Sequence, residues 1–242
     1  SEEPLENPAG PYILVASSEQ ALKDIAEFYR STLAIKIIGI TGSVGKTSTK
    51  EMISAVLEQK YNVLKTEGNF NNEIGLPLTI LRIRREHEAA VVEMGISEFG
   101  EMHRIAKVAK PDICVMTNIG QCHLENLIDR DGVLRAKSEI FDFLKPDGHI
   151  VLNGNDDKLI TVQEVKGVKP VFYYVEDGTA KKADLPYEIT ADAIENKGLR
   201  GLNANLHFPE EICQIKDALI TRISRSNTLA FAAGLKILTP SE

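Results

Sequence analysis

Short apolar runs alternate with amphipathic segments along the first 165 residues of the chain. Three runs, at residues 35–40, 89–92 and 113–116, are almost continuously apolar, which is typical of parallel strands covered by helices on both faces. The runs predict strands at residues 12–16, 35–40, 62–64, 89–93, 112–117 and 149–152. Helical spacing of apolar residues predicts helices at residues 47–59, 101–109 and 132–144, and another that Ser18 caps and that carries Leu22, Ile25, Ala26 and Tyr29 on one face.

The pattern changes after Val165. Strands are predicted at residues 171–175, 187–193 and 199–208, and in the last of these Leu202, Ala204, Leu206 and Phe208 alternate with polar residues. Such alternation is typical of an antiparallel sheet with one exposed face. Residues 218–238 are predicted to be helical. The sequence therefore predicts an α/β fold, a mostly parallel sheet with helices on both faces and a small antiparallel sheet near the C-terminus.

The clearest chemical motif lies at residues 38–49, where an apolar strand runs into a turn of small residues and then into a predicted helix. Glycines at such a turn let backbone N–H groups close on phosphate oxygens, and the helix start adds partial positive charge. Lys46 would neutralise the β- and γ-phosphates of a nucleotide, and the Thr47 hydroxyl would bind Mg²⁺, as in P-loop folds. The predicted nucleotide-binding residues are Gly42, Ser43, Val44, Gly45, Lys46, Thr47 and Ser48. The alternative is a glycine-containing turn before an ordinary helix.

Polar residues also follow three other predicted parallel strands. Glu93 ends the strand at residues 89–93 and could bind Mg²⁺ directly or through water. Asn118 and His123 follow the next strand. Asn118 could be a polar contact, and His123 could be a metal or phosphate ligand. Asn153 follows the strand after that. Because ligands bind beyond the carboxyl ends of such strands, these residues are expected near the phosphate loop. The structural alternatives are a solvated strand end for Glu93, an ordinary loop for Asn118 and His123, and a capped turn at Asn153.

Lys137 occupies an unusual position on the predicted helix at residues 132–144. It lies four residues from both Val133 and Phe141, which places it on the apolar face of that helix. One interpretation is a lysine that extends its ammonium group into solvent. The other is a lysine held in a site, where desolvation lowers the pKa and makes the neutral, reactive amine accessible.

Composition narrows the class of protein. The 242 residues include 28 Lys and Arg against 35 Asp and Glu, a formal net charge of −7, which argues against broad electrostatic capture of nucleic acid or anionic membrane. No apolar run approaches the ~20 residues of a membrane span, and the acidic start lacks the regions of a signal peptide. Three cysteines, Cys114, Cys122 and Cys213, are too few for a disulfide framework and favour a reducing cytoplasm.

Several motifs together resemble the ATP-dependent Mur ligases of peptidoglycan synthesis. They are the phosphate loop (T-G-x-x-G-K-T-[ST], residues 41–48), Glu93-Met94-Gly95, residues 117–125 (T-N-I-G-x-x-H-L-E) and residues 136–141 (A-K-x-E-I-F). The run at residues 67–79, E-G-N-F-N-N-E-I-G-L-P-L-T, is most similar to the members that join D-alanyl-D-alanine to a UDP-N-acetylmuramoyl-tripeptide. The resemblance extends from about residue 12 to residue 216.

The resemblance implies ATP and Mg²⁺ as cofactors and those two molecules as substrates, with a monomer expected from fold analogy. In the implied reaction, the γ-phosphoryl group of ATP passes to the tripeptide carboxylate, and the amine of D-alanyl-D-alanine attacks the resulting acyl phosphate. Lys46 and the backbone of residues 42–47 would hold ATP, and Thr47 and Glu93 would bind one Mg²⁺. His123 would help to bind a second Mg²⁺, and Lys137 matches a lysine that is commonly carbamylated in the family and then serves the metal.

The predicted catalytic residues are accordingly Lys46, His123 and Lys137, with Asn118 and Asn153 as nucleotide contacts. Asn71 and Asn72 match the substrate-side loop of the family.

Family members are three-domain chains about twice as long. We therefore expect residues 1–33 to be a remnant of an amino-terminal UDP-substrate domain and residues 34–242 to be the central ATP-binding domain, with the carboxy-terminal ligase domain absent and the chain inactive alone. Around residues 220–233 the family would show a Pro-Gly-x-His-Asn turn for adenine, and this chain lacks that Gly and His. Two alternatives stay open. One is a nucleotide-binding module without catalysis; the other, disfavoured by the Asn-rich run at residues 69–72, is a folylpolyglutamate- or cyanophycin-type ligase.

Overall fold

The computed structural model describes residues 1–176, 187–196, 202–208 and 212–218. The strands are β1 (Lys36–Thr41), β2 (Val63–Lys65), β3 (Ala89–Glu93), β4 (Ile113–Met116), β5 (His149–Asn153), β6 (Val171–Val175), β7 (Tyr187–Asn196), β8 (Leu202–His207) and β9 (Ile212–Ala218). The α-helices are α1 (Ser18–Ser31), α2 (Lys46–Leu57), α3 (Gly75–Leu81), α4 (Glu101–Ala109), α5 (Leu124–Leu127) and α6 (Arg130–Ser138). Two 3₁₀ helices span Glu139–Phe143 and Leu159–Thr161.

The described strands lie in one sheet, in the order β2-β3-β1-β4-β5-β6-β7-β8-β9. Neighbours from β2 to β7 are parallel, whereas β8 pairs antiparallel with β7 and β9. The predicted fold class is confirmed, and the antiparallel strands extend the parallel sheet. Because β1 lies between β3 and β4, the segments that follow these three strands meet at one edge, which is where sheets of this kind bind ligands.

Apolar side chains alternate between the two faces of the sheet and form a core on each. In β1, Ile37 belongs to one core and Ile38 to the other, and both are fully buried. Helix α2 covers one face through Ile53 and Leu57. The opposite face is covered by α1, α3, α4 and α6, through residues that include Ala26, Leu76, Ile105 and Ala136. Burial of these apolar faces holds the carboxyl edge of the sheet in place. Among the described helices, none combines the length and apolar character that a membrane crossing requires.

Helix α1 is fixed to the rest of the fold by a buried arginine. Arg30 donates from Nε to the Ala109 carbonyl at 2.8 Å and from Nη2 to Asp112 Oδ2 at 3.1 Å. The same carboxylate oxygen accepts the Ile37 N–H at 2.9 Å, at the start of β1. Helix α1 also packs on α3 and α4. The assignment of residues 1–33 to a separate domain stays a prediction.

One predicted strand near the amino terminus is wrong, and one predicted helix cap is off by one residue. Residues 12–16 do not form a strand: they pair with no strand of the described sheet, and Ile13 is 76% exposed. An apolar run becomes a strand only where a sheet edge is open to its backbone groups. The cap of α1 is Ser17 rather than Ser18, because its hydroxyl accepts the Gln20 N–H at 3.2 Å.

Other bounds also shift. The helix predicted at residues 132–144 begins at Arg130, because the Asp129 carboxylate caps it by accepting the Gly132 N–H at 2.8 Å, and it continues as a 3₁₀ helix from Glu139. Helices α3 and α5 and strand β9 were not predicted. Ala218 belongs to β9, and the rest of the helix predicted at residues 218–238 lies outside the described residues, as does the turn at residues 220–233. The remaining predicted elements are observed with bounds within a few residues.

Candidate functional site

The turn between β1 and α2 has a backbone that favours glycine at two positions. Gly42 has a φ of +150° and Gly45 a φ of +84°. A Cβ on Gly42 would lie 2.0 Å from Thr117 Oγ1, so the loop and the segment after β4 are in close contact there. Gly45 is the N-cap of α2 and has no side chain to cap the helix. No side chain therefore caps the amino terminus of α2, as an anion site of the phosphate-loop type requires.

The segment after β4 holds this loop through Val44. Asn118 Nδ2 donates to the Val44 carbonyl at 2.9 Å, and Asn118 Oδ1 accepts the Val44 N–H at 3.0 Å. Thr117 Oγ1 donates to the same carbonyl at 2.7 Å. Ser43 is held by the same segment, because its hydroxyl accepts the Gly120 N–H at 2.8 Å. Asn118 thus lies at the loop as predicted, with its amide bonded to the loop backbone.

Glu93 links the end of β3 to the start of α2 and to Asn71. The residue is 3% exposed. Its Oε2 accepts the Thr47 hydroxyl and its Oε1 accepts a hydrogen bond from Asn71 Nδ2, each at 2.9 Å. Its own N–H donates to Thr66 Oγ1 at 3.0 Å. Within the described ranges, no Lys, Arg or His pairs with this carboxylate. Burying a carboxylate with neutral partners alone is costly, and a bound divalent cation would supply the missing charge.

The donor set fits Mg²⁺ bound together with a nucleotide. No group of three or more His, Cys, Asp and Glu side chains in the described part of the chain could hold a metal ion by itself. Mg²⁺ commonly takes only one or two protein oxygens and completes its shell with phosphate oxygens and water. Thr47, in the phosphate loop, and Glu93, at the end of β3, supply such a pair.

A cleft of about 350 Å³ opens beside this pair and gathers side chains from five segments. The lining residues that the sequence analysis had assigned to the site are Gly42, Ser43, Lys46, Asn71, Asn72, His123 and Lys137. It is also lined by residues that the sequence analysis did not assign to the site, namely Gly95, Ile96, Ser97, Glu101 and Cys122. Gly95 lies in the motif Glu93-Met94-Gly95, and Cys122 lies in the motif at residues 117–125. Their place in these motifs is the sequence signal that could have identified them.

Lys137 is buried in the wall of this cleft. The residue is 2% exposed, so the interpretation of an ammonium group extended into solvent is wrong. Burial, and then the charge of Lys46, lower the pKa of Lys137 from 10.5 to about 8, against an opposing effect of Cys122. Among the described residues, no hydrogen bond or ion pair to its amino group is found. A lysine in this state is partly neutral near physiological pH and is available for reaction.

The other predicted residues lie around the cleft in different ways. His123 adopts a left-handed φ of +52° just before α5, and its side chain is 42% exposed. Ser48 is half-buried in the first turn of α2. Asn72 Oδ1 accepts the Gly75 N–H at 2.8 Å and so caps the start of α3.

Asn153 is buried, and its amide links β5 to the segment after β4. Asn153 Nδ2 donates to the Thr117 carbonyl at 2.9 Å, and Asn153 Oδ1 accepts the Asn155 N–H at 2.9 Å. The capped turn that was the structural alternative is therefore observed. A contact of Asn153 with nucleotide stays a prediction.

Comparison with known proteins agrees with this geometry. The sequence profile described as the Mur ligase middle domain matches residues 40–235. A UDP-N-acetylmuramoyl-tripeptide–D-alanyl-D-alanine ligase of Bacillus subtilis (strain 168) is 48% identical over 147 residues, which are 61% of this chain and 32% of that protein.

Solved structures of relatives match nearly the whole chain, and two of them illustrate the similarity. A MurF from Acinetobacter baumannii matches with a TM-score of 0.84 and 30% identity, over 98% of this chain and 50% of that one. A MurF ligase from Thermotoga maritima in complex with ADP matches with a TM-score of 0.81 and 28% identity, over 98% of this chain and 52% of that one. The chain thus spans about half the length of these structures. Because the profile of the Mur ligase middle domain matches residues 40–235, this chain belongs to the Mur ligase family.

Proposed function

We propose that this chain binds Mg²⁺ and ATP in the cleft and forms part of an ATP-dependent ligase that joins D-alanyl-D-alanine to a UDP-N-acetylmuramoyl-tripeptide. The observation that carries the proposal is the hydrogen bond of 2.9 Å between the hydroxyl of Thr47, in the phosphate loop, and the carboxylate of Glu93, at the end of β3. The names of the relatives support the choice of substrates, and the ADP complex of the Thermotoga relative supports the nucleotide.

The chain's own cations and N–H groups would hold the nucleotide. Lys46 Nζ now donates to the Gly42 carbonyl at 3.0 Å, which places the ammonium group over the loop where the β- and γ-phosphates would lie. The amino terminus of α2, which no side chain caps, would donate N–H groups to the same phosphates. Asn118 keeps Val44 in place, and we assign Asn153 an analogous supporting role toward the nucleotide.

Thr47 and Glu93 would hold one Mg²⁺, and His123 and Lys137 would contribute to a second. When bound, Mg²⁺ neutralises the transferring phosphoryl group, which is the main physical source of rate in such reactions. The buried Lys137 amine would first add CO₂ and release a proton. The resulting carbamate is an anion, so the change converts an uncompensated cation into a group with metal-binding oxygens.

The remaining parts of the proposal concern substrates and setting. Asn71 and Asn72 line the same cleft as Lys46 and Lys137, and we assign this side to the tripeptide carboxylate that receives the phosphoryl group. The reaction serves peptidoglycan synthesis, and the few cysteines of the chain agree with the cytoplasm as its location. We expect the protein to act as a monomer.

Phosphate release from ATP tests the proposal. It is measured in a complete ligase that contains this chain, with UDP-N-acetylmuramoyl-tripeptide in the presence and absence of D-alanyl-D-alanine, while ATP binding is followed by calorimetry. Release that depends on the tripeptide supports phosphoryl transfer to its carboxylate, and further stimulation by D-alanyl-D-alanine supports the complete ligase.

Two results would contradict the proposal. ATP binding without release under any combination identifies a nucleotide-binding module without catalysis. Release that instead depends on a folate or on a cyanophycin-type peptide identifies the other class of ligase.

A further inference from the structure

One carboxylate joins the segment of residues 69–74, here called the Asn71 loop, to helices α1 and α4. Glu73 Oε1 accepts Arg104 Nε at 2.6 Å and Lys23 Nζ at 3.0 Å, and Glu73 Oε2 accepts Arg104 Nη2 at 2.9 Å. The Glu73 side chain is 19% exposed. A two-bonded arginine–carboxylate pair fixes orientation as well as distance. Glu73 therefore joins the loop to α1, which carries Lys23, and to α4, which carries Arg104.

The other side of the Asn71 loop touches the metal-binding carboxylate. The Asn71 carbonyl accepts the Gly95 N–H at 2.8 Å, and Asn71 Nδ2 donates to Glu93 Oε1 at 2.9 Å. A Cβ on Gly95 would lie 3.1 Å from Asn71 Cγ, so the fit between the two segments is close. Asn71 occupies one oxygen of Glu93, and the other oxygen faces Thr47. The position of Asn71 thus sets the rotation of the carboxylate.

We propose that Glu73 is a positioning residue for the metal site: its ion pairs with Lys23 and Arg104 hold Asn71 against Glu93. The inference rests on the proposed binding of Mg²⁺ and ATP. Only Asn72 separates Glu73 from Asn71, and Asn72 caps the start of α3, so the loop has little freedom to absorb a shift at Glu73. Groups that orient metal ligands typically change metal affinity about 10- to 100-fold when they are lost.

Glu27 provides a matched control. It lies on α1 and joins that helix to the end of α4, because its carboxylate pairs with Lys110 at 2.9 Å and with Lys107 at 3.3 Å. Its side chain is 24% exposed, close to the value for Glu73. In the described structure, its ion pairs do not include a residue of the Asn71 loop. Loss of Glu27 therefore removes a comparable link between α1 and α4 and leaves the metal site alone.

The test compares Glu73→Gln with Glu27→Gln by calorimetric titration of ATP at several Mg²⁺ concentrations and in EDTA, together with thermal unfolding. Both variants are expected to melt at similarly reduced temperatures. Only Glu73→Gln is expected to weaken Mg²⁺-dependent ATP binding, by about 10-fold, the low end of the range for groups that orient metal ligands. Its affinity for ATP in EDTA should equal that of the wild type.

A second set of variants shows whether Glu73 acts through Asn71. Adding Glu73→Gln to Asn71→Ala should weaken binding no further than Asn71→Ala alone, because the link is already broken. Should Glu73→Gln fail to fold, Arg104→Gln tests the same link and should weaken Mg²⁺-dependent binding in the same direction.

Two results overturn the inference. The first is that Glu73→Gln, or Arg104→Gln in its place, binds ATP with Mg²⁺ as tightly as Glu27→Gln does. The second is that the losses of affinity from Asn71→Ala and Glu73→Gln simply add in the double variant. Failure of the proposed function itself is seen in the wild type, as an absence of Mg²⁺-dependent ATP binding.

Discussion

Replacing Lys137 with Met should stabilise the protein while it removes the proposed activity. The structure buries this amine beside Lys46 and offers it no hydrogen bond or ion pair among the described residues. Met has a similar length and no charge, and it adapts to irregular surroundings. The substitution therefore exchanges an uncompensated ammonium group for an apolar side chain in the same space.

The magnitude follows from the fall of the Lys137 pKa from 10.5 to about 8. One pH unit corresponds to about 1.4 kcal/mol, so burying the charged form costs about 3 kcal/mol. Below pH 8 the whole cost is present in the folded state. Between about pH 8 and 10.5 the unfolded state binds more protons than the folded state, so the stability of the wild type rises with pH. Above 10.5 the amine is neutral in both states and the cost is gone.

The assay is urea unfolding in CO₂-free buffers, at pH 7 and at several values up to pH 10.5. At pH 7 Lys137→Met should unfold with a free energy up to about 3 kcal/mol above that of the wild type, and this difference should shrink as the pH rises. The matched control is Lys50→Met. Lys50 is equally buried, but its amine donates to the Thr66 carbonyl at 2.6 Å and pairs with Glu51 at 2.9 Å.

Lys50→Met should therefore destabilise the protein, by about 1–3 kcal/mol. If Lys137→Met destabilises as much as Lys50→Met, or if its difference from the wild type does not change with pH, the Lys137 amine is satisfied in the fold and the reasoning is refuted.

Three further substitutions test individual roles. Lys46→Ala should abolish Mg²⁺-dependent ATP binding in calorimetry while the thermal melting curve is unchanged, because the residue is a surface cation of the loop; unchanged affinity contradicts its role. Glu93→Ala should weaken ATP binding more than 10-fold with Mg²⁺ and little in EDTA; an equal loss in both would make Glu93 structural. In the complete ligase, Lys137→Ala should abolish turnover and acetate should restore part of it; full turnover in the variant would show that no carbamate is needed. Mass spectrometry of the wild type should show more carbamate as bicarbonate and pH rise, since only the neutral amine adds CO₂.

The phosphate loop and the position of Lys137 on the apolar face of its helix could be predicted because local patterns determine them. A continuous apolar strand that enters a glycine turn leaves few other structures for residues 42–45. Lys137 lies at helical spacing from Val133 and Phe141, and those two residues are buried as the pattern requires. The edge at which Glu93 lies followed from its place at the end of a parallel strand.

Contacts between distant segments could not be predicted in this way. Asn71 and Glu93 are 22 residues apart, and no periodicity relates an asparagine in one loop to a carboxylate at the end of a strand. Glu73 appears in the sequence as one charge in a polar run, and its partners become visible only when α1 and α4 are placed beside the loop. Helix α3 was missed because it begins with Gly75 and contains Pro77, both of which are unfavourable in isolated helices.

The most direct test of the central claim, that the phosphate loop, Thr47 and Glu93 form one site for Mg²⁺ and ATP, is a calorimetric titration of ATP into the wild-type chain with Mg²⁺ and with EDTA. We predict binding of one ATP per chain that is clearly tighter with Mg²⁺ than with EDTA. Equal affinity under the two conditions, or no binding in either, would contradict the claim.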